Sequence, residues 1–509
     1  MTASIKKSWP LLVAALFAVV VLWLSRGLTV DTWDGIQAVE NALVAAKART
    51  PSDWGGPQVV RPPFGWLLAS PLVAWRYAAA GPLAALRLFQ SLMVLAVAAL
   101  LAVSHRINGR LASERAAAAA LLAMALNPLL IEFAPFVSMD LIAPLALLPF
   151  LWAAVRYDES PSLGRYAALL GAYVAAFLTK YHLGVAILVP LAYPLVDPRR
   201  RGDLLGRLRT FILNPVWLMP ALCWLATVAF WTALKIWTWQ DGHIFAWEEF
   251  LKSHEMLFNA LIDNVGGSAT GHLAMIAPPS RFYYIEVLAY QLGWPLLAFA
   301  ALGWASWWRS RDPLRLHAAL ALGCLFGFLV FFLYRPYAHY AFTIAPLVYA
   351  AVAQGLDVGF GRLRTARGRA WTAGAVILLS PWDHAADSIR YLRSDPPIRS
   401  SVISRLAAAV EAASAPGQCV GWVEGEMALP PSGLRYEPWP LLFGRQTFSY
   451  FTTRHVALPE MRERCEPKIF VVPRDWPQSF RQPPRWDSPA LARIYREPEH
   501  ALVAEIGAD

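Results

Sequence analysis

The 509-residue sequence predicts an all-α polytopic membrane domain of about eleven spans, followed by a small α/β domain. Three observations predict it. The chain is 57% hydrophobic and only 16% charged, against about 25% charge in soluble domains. Its apolar residues come in blocks, such as 11–24, 82–103 and 215–234, that approach the roughly 20 residues needed to cross a ~30 Å hydrocarbon core. Its 23 tryptophans suit the two membrane–water interfaces. The formal charge of +10 lies between apolar blocks, where it acts as a topology determinant rather than a nucleic-acid footprint.

Basic loops stay in the cytoplasm, which orders the elements one by one. Lys6 and Lys7 precede the first apolar run, which ends Trp23-Leu24-Ser25-Arg26 without a small-x-small cleavage site. It reads as a retained span that delivers Asp31 outside. Residues 29–75 are too mixed for a span and read as an outer loop with interfacial helices over 36–46 and 64–75. Spans over 82–103, 115–131 and 140–156 follow. A fifth exits near Lys180, and a sixth re-enters to Arg199-Arg200-Arg201. The remaining spans cover 212–236, 285–307, 315–334, 338–355 and 370–384. All the basic clusters then fall on one side. The transmembrane domain is 1–385, and 386–509 forms a separate domain rich in Pro, Arg and Glu. That tail combines a helical stretch (400–413) with strand-like runs over 418–423 and 468–472. An odd number of spans places it on the oxidising side, where Cys419 and Cys465 are either bridged or two buried thiols. Cys223 and Cys324 lie in apolar spans and read as core residues.

A charge near a membrane span costs several kcal/mol unless it lines a polar cavity. Asp31, Asp34, Arg61, Asp140, Lys180, Arg335 and His339 all fall at predicted outer span ends or outer loops. Cations there suit a lipid phosphate, and a carboxylate suits removal of a proton from an acceptor hydroxyl. Each has a plainer alternative. Asp31, Asp34 or Asp140 would cap a helix. Arg61 would snorkel to a headgroup, Lys180 and Arg335 would anchor at the interface, and Tyr181, Tyr334, Tyr337 and Tyr340 would form an aromatic belt.

The order of motifs resembles the bacterial branch of the dolichyl-phosphate-mannose protein mannosyltransferase superfamily, of GT-C fold, to which the lipid A aminoarabinose transferase is related. The first span is followed by Asp34-Gly35-Ile36-Gln37-Ala38-Val39-Glu40, with Gly35 where the family has Glu. Arg61-Pro62-Pro63-Phe64-Gly65-Trp66 resembles its basic–Pro–Pro motif, and Leu86-Arg87 its leucine–arginine pair. Asn127-Pro128 with Ser138-Met139-Asp140, then Thr179-Lys180-Tyr181, match further segments. So do Arg335-Pro336-Tyr337-Ala338-His339-Tyr340 before Ala345-Pro346-Leu347, and, with stretched spacing, His272…Pro278…Phe282-Tyr283-Tyr284. The matches span roughly residues 10–350.

The resemblance implies an inverting glycosyltransferase in a bacterial inner membrane, moving a sugar from a polyprenyl-phosphate donor to an acceptor hydroxyl on the periplasmic face. It implies Asp34 as general base, with Asp31 as rival and Asp140 as a second pocket carboxylate. Arg61, Lys180 and Arg335 would hold the phosphate, and His339, Tyr340 and His272 would contact substrate. Partners would be the lipid-linked donor, a lipid, glycan or protein acceptor, and membrane lipids, with no nucleic acid. A divalent metal stays open, since some relatives bind one and Val60 stands here before Arg61. The rival class, a lipid-linked-sugar flippase or other transporter, predicts repeat symmetry and interrupted helices.

Overall fold

The computed structural model describes residues 3–26, 28, 31–48, 62–197, 203–238, 246–266, 282–332 and 338–360, parts of 374–412, and strands in the tail. Helix α1 (Ala3–Leu24) leads to a two-residue strand β1 (Asp31–Thr32) and directly into α2 (Trp33–Ala45). The buried face of α2, including Ala38, Val39, Ala42 and Leu43, recurs at helical spacing and packs on α3 (Phe64–Ala80). Helices are thus present over both stretches, 36–46 and 64–75, where the sequence predicted them. Gly81, at φ 81°, reverses the chain into α4 (Pro82–Leu111), a turn that a Cβ would oppose.

Local chemistry explains where the next expected span breaks. Helix α5 (Glu114–Ala125) ends early because Asn127-Pro128 starts a new helix. The Asn127 side chain accepts from Leu129 and Leu130 N–H, a helix cap, and Pro128 occupies the first position of α6 (Pro128–Phe133). At the opposite end of α5, Ser113 caps the helix and also donates from its hydroxyl to Asp357 at 2.6 Å.

Helices α7 (Met139–Glu159) and α8 (Leu163–Thr179) form a hairpin. A 3-10 helix, Tyr181–Ile187, runs into α9 (Leu188–Val196). Then come α10 (Leu204–Ile212), α11 (Met219–Thr238), the amphipathic α12 (Ala246–Gly266), α13 (Tyr283–Leu292), α14 (Trp294–Trp307) and α15 (Pro313–Phe331). A second 3-10 helix, Ala338–Ile344, precedes α16 (Ala345–Phe360), and a short helix covers 382–390. Among the described residues, five stretches are long and apolar enough to cross a membrane: Leu83–Leu111, Met139–Glu159, Leu204–Thr238, Pro313–Phe331 and Ala338–Phe360. Ser8–Leu24, Leu163–Thr179 and Tyr181–Val196 are shorter apolar helices.

The expected straight span over 285–307 differs. It is two helices bent by 110° at Gly293, whose φ of 74° is open to glycine and unfavourable to other residues, with Pro295 just beyond. Of the expected span over 370–384, residues 370–373 and 375–377 lie outside the described residues, and the described part is broken at 380–381 before the short helix that begins at 382.

Helices α14 and α16 approach through glycine. A Cβ on Gly303 would overlap the Ala351 carbonyl, and one on Gly355 the Phe299 carbonyl, so both backbones meet as in small-residue membrane contacts. Gly303→Ala is therefore expected to lower the thermal midpoint in detergent, by the ~1–3 kcal/mol typical of overpacking. Gly171→Ala, with open space around it, serves as control. Equal midpoints for the two would refute the close approach.

In the tail, β2 (Val420–Val423), β3 (Met427–Leu429), β4 (Leu434–Glu437), β5 (Thr447–Tyr450), β6 (Ile469–Pro473), β7 (Ala492–Arg496) and β8 (Ala501–Ile506) are described by their backbone. A five-stranded sheet has the order β5-β2-β6-β7-β8, parallel through β5, β2 and β6 and antiparallel beyond. Its strands β2 and β6 overlap the two strand-like runs read from the sequence, 418–423 and 468–472. The smaller sheet, β1-β4-β3, joins the tail to the segment between α1 and α2, with Asp31 opposite Glu437. Cys419, Cys465 and most of 400–413 lie outside the described residues.

Candidate active site

Asp140 enters the site from the first turn of α7. Its Oδ2 accepts a hydrogen bond from the Lys180 ammonium at 2.9 Å, and His339 Nε2 stands 3.7 Å from the same oxygen. Among the described residues Oδ1 has no hydrogen-bond partner. The carboxylate is buried, with 3% side-chain exposure, while Lys180 keeps 14%. The capping alternative accounts for only part of this. A helix N-terminus favours the negative charge, but the oxygen that bonds does so across the bundle, to a cation.

Lys180 sits where α8 ends. It is extended (φ −157°, ψ 119°), and its carbonyl accepts from Leu183 N–H at 2.9 Å, so the chain turns at once into the 3-10 helix Tyr181–Ile187. The Tyr173 hydroxyl donates to the Gly184 carbonyl at 2.9 Å, folding that segment back on α8. The second 3-10 helix presents His339 and Tyr340 opposite. Lys180 Nζ lies 4.8 Å from the Tyr340 ring centroid, a cation–π contact worth about 0.5–2 kcal/mol. His339 packs edge-on against Tyr340 at 4.9 Å and meets the Phe133 ring at a tilt, 5.6 Å away. The Tyr181 hydroxyl accepts from Trp231 Nε1 at 3.0 Å, and Trp231 lies 6.2 Å from Trp66. Tyr181 and Tyr340 are both buried, which corrects the expectation that they join an interfacial belt.

The structure thus brings together Asp140, Lys180, His339 and Tyr340. Asp31 lies in β1 and Asp34 in the first turn of α2, both described by backbone alone. Arg61, His272 and Arg335 lie outside the described residues. Sequence reasoning missed His182, Thr343 and Phe133, which surround the four. It also passed over Glu132, a fully buried carboxylate beside Phe133. An acid at a predicted span end was the available signal for Glu132; a histidine two positions after Lys180 was the signal for His182. Among the described residues no group of three or more His, Cys, Asp or Glu side chains is placed to hold a metal ion.

This arrangement, of long and broken helices around two 3-10 segments that bring Lys180 and His339 beside Asp140, has a known counterpart: the chain has the GT-C fold. Over 93% of its length and 94% of the other's, it superposes with TM-score 0.58 and 15% identity on ArnT, the lipid A aminoarabinose transferase, from Cupriavidus metallidurans, in a crystal structure bound to undecaprenyl phosphate. The apo crystal structure of the same ArnT matches with TM-score 0.56 and 15% identity, over 92% and 94% of the two chains. An oligosaccharyltransferase from Archaeoglobus fulgidus, in complex with Zn and sulfate, gives TM-score 0.48 and 12% identity, over 90% and 67%. No protein-family model and no curated protein matches the sequence.

Proposed function

We propose that this protein is an inverting glycosyltransferase that takes its sugar from a polyprenyl-phosphate donor in a bacterial inner membrane. The observation that carries the reading is the Lys180–Asp140 pair, a cation at the extended end of α8 and a buried carboxylate in the first turn of α7, 2.9 Å apart. The GT-C fold, and the undecaprenyl phosphate bound by ArnT, support the donor class. In this reading Asp34 removes the proton from an acceptor hydroxyl while its oxygen attacks the sugar's anomeric carbon. The bond from that carbon to the phosphate oxygen breaks on the opposite face, and polyprenyl phosphate departs. Lys180, Arg61 and Arg335 hold the charge that gathers on the departing phosphate. Asp140 orients Lys180 and with it a substrate, and His339, Tyr340 and His272 line the pocket. The chain then has about eleven spans with a cytoplasmic N-terminus, and residues 386–509 form a periplasmic α/β domain.

The transporter reading draws on the 110° break at Gly293, since transporters use broken helices. The residues at that break, Leu292, Gly293, Trp294 and Pro295, carry no charged side chain that would bind an ion or a sugar phosphate. Mass spectrometry of lipids and envelope glycans from cells lacking the protein tests the choice. A polyprenyl-phosphate sugar is expected to accumulate while one sugar disappears from a lipid, glycan or protein. Unchanged acceptors would overturn the proposal.

A further inference from the structure

His182 follows Lys180 by two residues, on the 3-10 helix Tyr181–Ile187. Its Nε2 shares a hydrogen bond of 3.0 Å with Thr343 Oγ1 on the facing 3-10 helix, Ala338–Ile344. Thr343 is buried. The same imidazole meets the Tyr340 ring edge-on at 5.3 Å, on a ring that also carries Lys180 at 4.8 Å and His339 at 4.9 Å. A 3-10 turn has poorer internal hydrogen bonds than an α-helix, so a short segment of that kind depends on outside contacts to hold its place. Lys180 immediately precedes one such segment and His339 lies on the other, and the two are far apart in sequence.

We infer that His182 is a positioning residue, a strap that ties the Lys180 segment to the His339–Tyr340 segment through Thr343 and so places the ammonium for a donor phosphate. The inference rests on the proposed reading of Lys180 as a phosphate-binding group. The geometry shows how the strap would act. Lys180 has two fixed neighbours, the Asp140 carboxylate on α7 and the Tyr340 ring on the second 3-10 helix. The first is set by α7. The second stays in register with Lys180 only while the two 3-10 segments stay together, and the His182–Thr343 bond joins them directly. His182 itself need touch no substrate.

The test measures binding of undecaprenyl phosphate to purified full-length protein in nanodiscs, with thermal midpoints recorded in parallel. Thr343→Val removes only the hydroxyl and keeps the shape, and is expected to weaken binding roughly three- to tenfold, the value of one hydrogen bond. His182→Ala is expected to do at least as much. The double variant is expected to lose no more than His182→Ala alone, because both changes cut one bond. Thr343→Ser, which keeps the hydroxyl, is expected to restore affinity. A purely structural role would lower the thermal midpoint and leave affinity unchanged, and that result would overturn the strap. So would full additivity of the two losses. Lys180→Ala separates the levels. If it weakens binding and Thr343→Val does not, the strap fails and the phosphate site stands; if neither weakens it, the phosphate site fails as well.

Discussion

Asp34→Asn is expected to abolish sugar transfer while undecaprenyl phosphate binding stays close to that of the wild type. Asn is nearly isosteric with Asp but accepts no proton at neutral pH, and removal of a positioned base costs about 10²–10⁴-fold in rate. The base acts on the acceptor, so donor affinity has no reason to change. The structure places Asp34 in the first turn of α2, immediately after β1. Asp31→Asn is expected to be milder. Asp31 is the Cα partner of Glu437, and Asp31→Asn leaves the backbone hydrogen bonds of the β1–β4 pairing in place. Turnover of the purified variants, with protein amount and thermal midpoint matched, decides. The reverse ranking would move the base to Asp31, and activity in both variants would remove this chemistry altogether.

Lys180→Ala is expected to act on two quantities at once. Loss of a charge-assisted bond to phosphate is worth about 1.5–3 kcal/mol, so undecaprenyl phosphate affinity should fall roughly tenfold to over a hundredfold. The variant also leaves Asp140 buried without its cation. Breaking a fully buried pair costs about 3–5 kcal/mol, and the 14% exposure of Lys180 places this pair below that range. The thermal midpoint should therefore drop as well. Adding Asp140→Asn removes the stranded charge, so the double variant is expected to regain stability but not donor affinity. Recovery of both would mean that the pair serves the fold alone, and recovery of neither would mean that Asp140 has a partner more important than Lys180.

How far the sequence reaches differs between elements for physical reasons. The Asn127-Pro128 break was legible as a motif but was read as part of one span, because hydropathy averages over a window and does not register a single cap. The 110° bend at Gly293 was missed for a related cause. Leu292-Gly293-Trp294-Pro295 remains apolar, and the positive φ that turns the chain leaves no mark on composition. In the site, Asp140, Lys180, His339 and Tyr340 were all legible as charged or polar residues where apolar ones are expected. Their roles as caps, anchors or belt residues stayed open, since each alternative has the same local pattern.

Composition, apolar blocks and the placement of charge determined by themselves that this is a multi-helical membrane-type chain, and which ionisable residues stand at helix ends. Only the tertiary structure decided that Lys180 meets Asp140 across 40 residues and that His182 meets Thr343 across 161. It also turned Tyr181 and Tyr340 inward, Tyr340 into the site and Tyr181 against Trp231. Local sequence encodes the expense of an isolated charge or hydroxyl in an apolar setting. The partner that offsets it lies on another element, and its identity follows from how the helices pack.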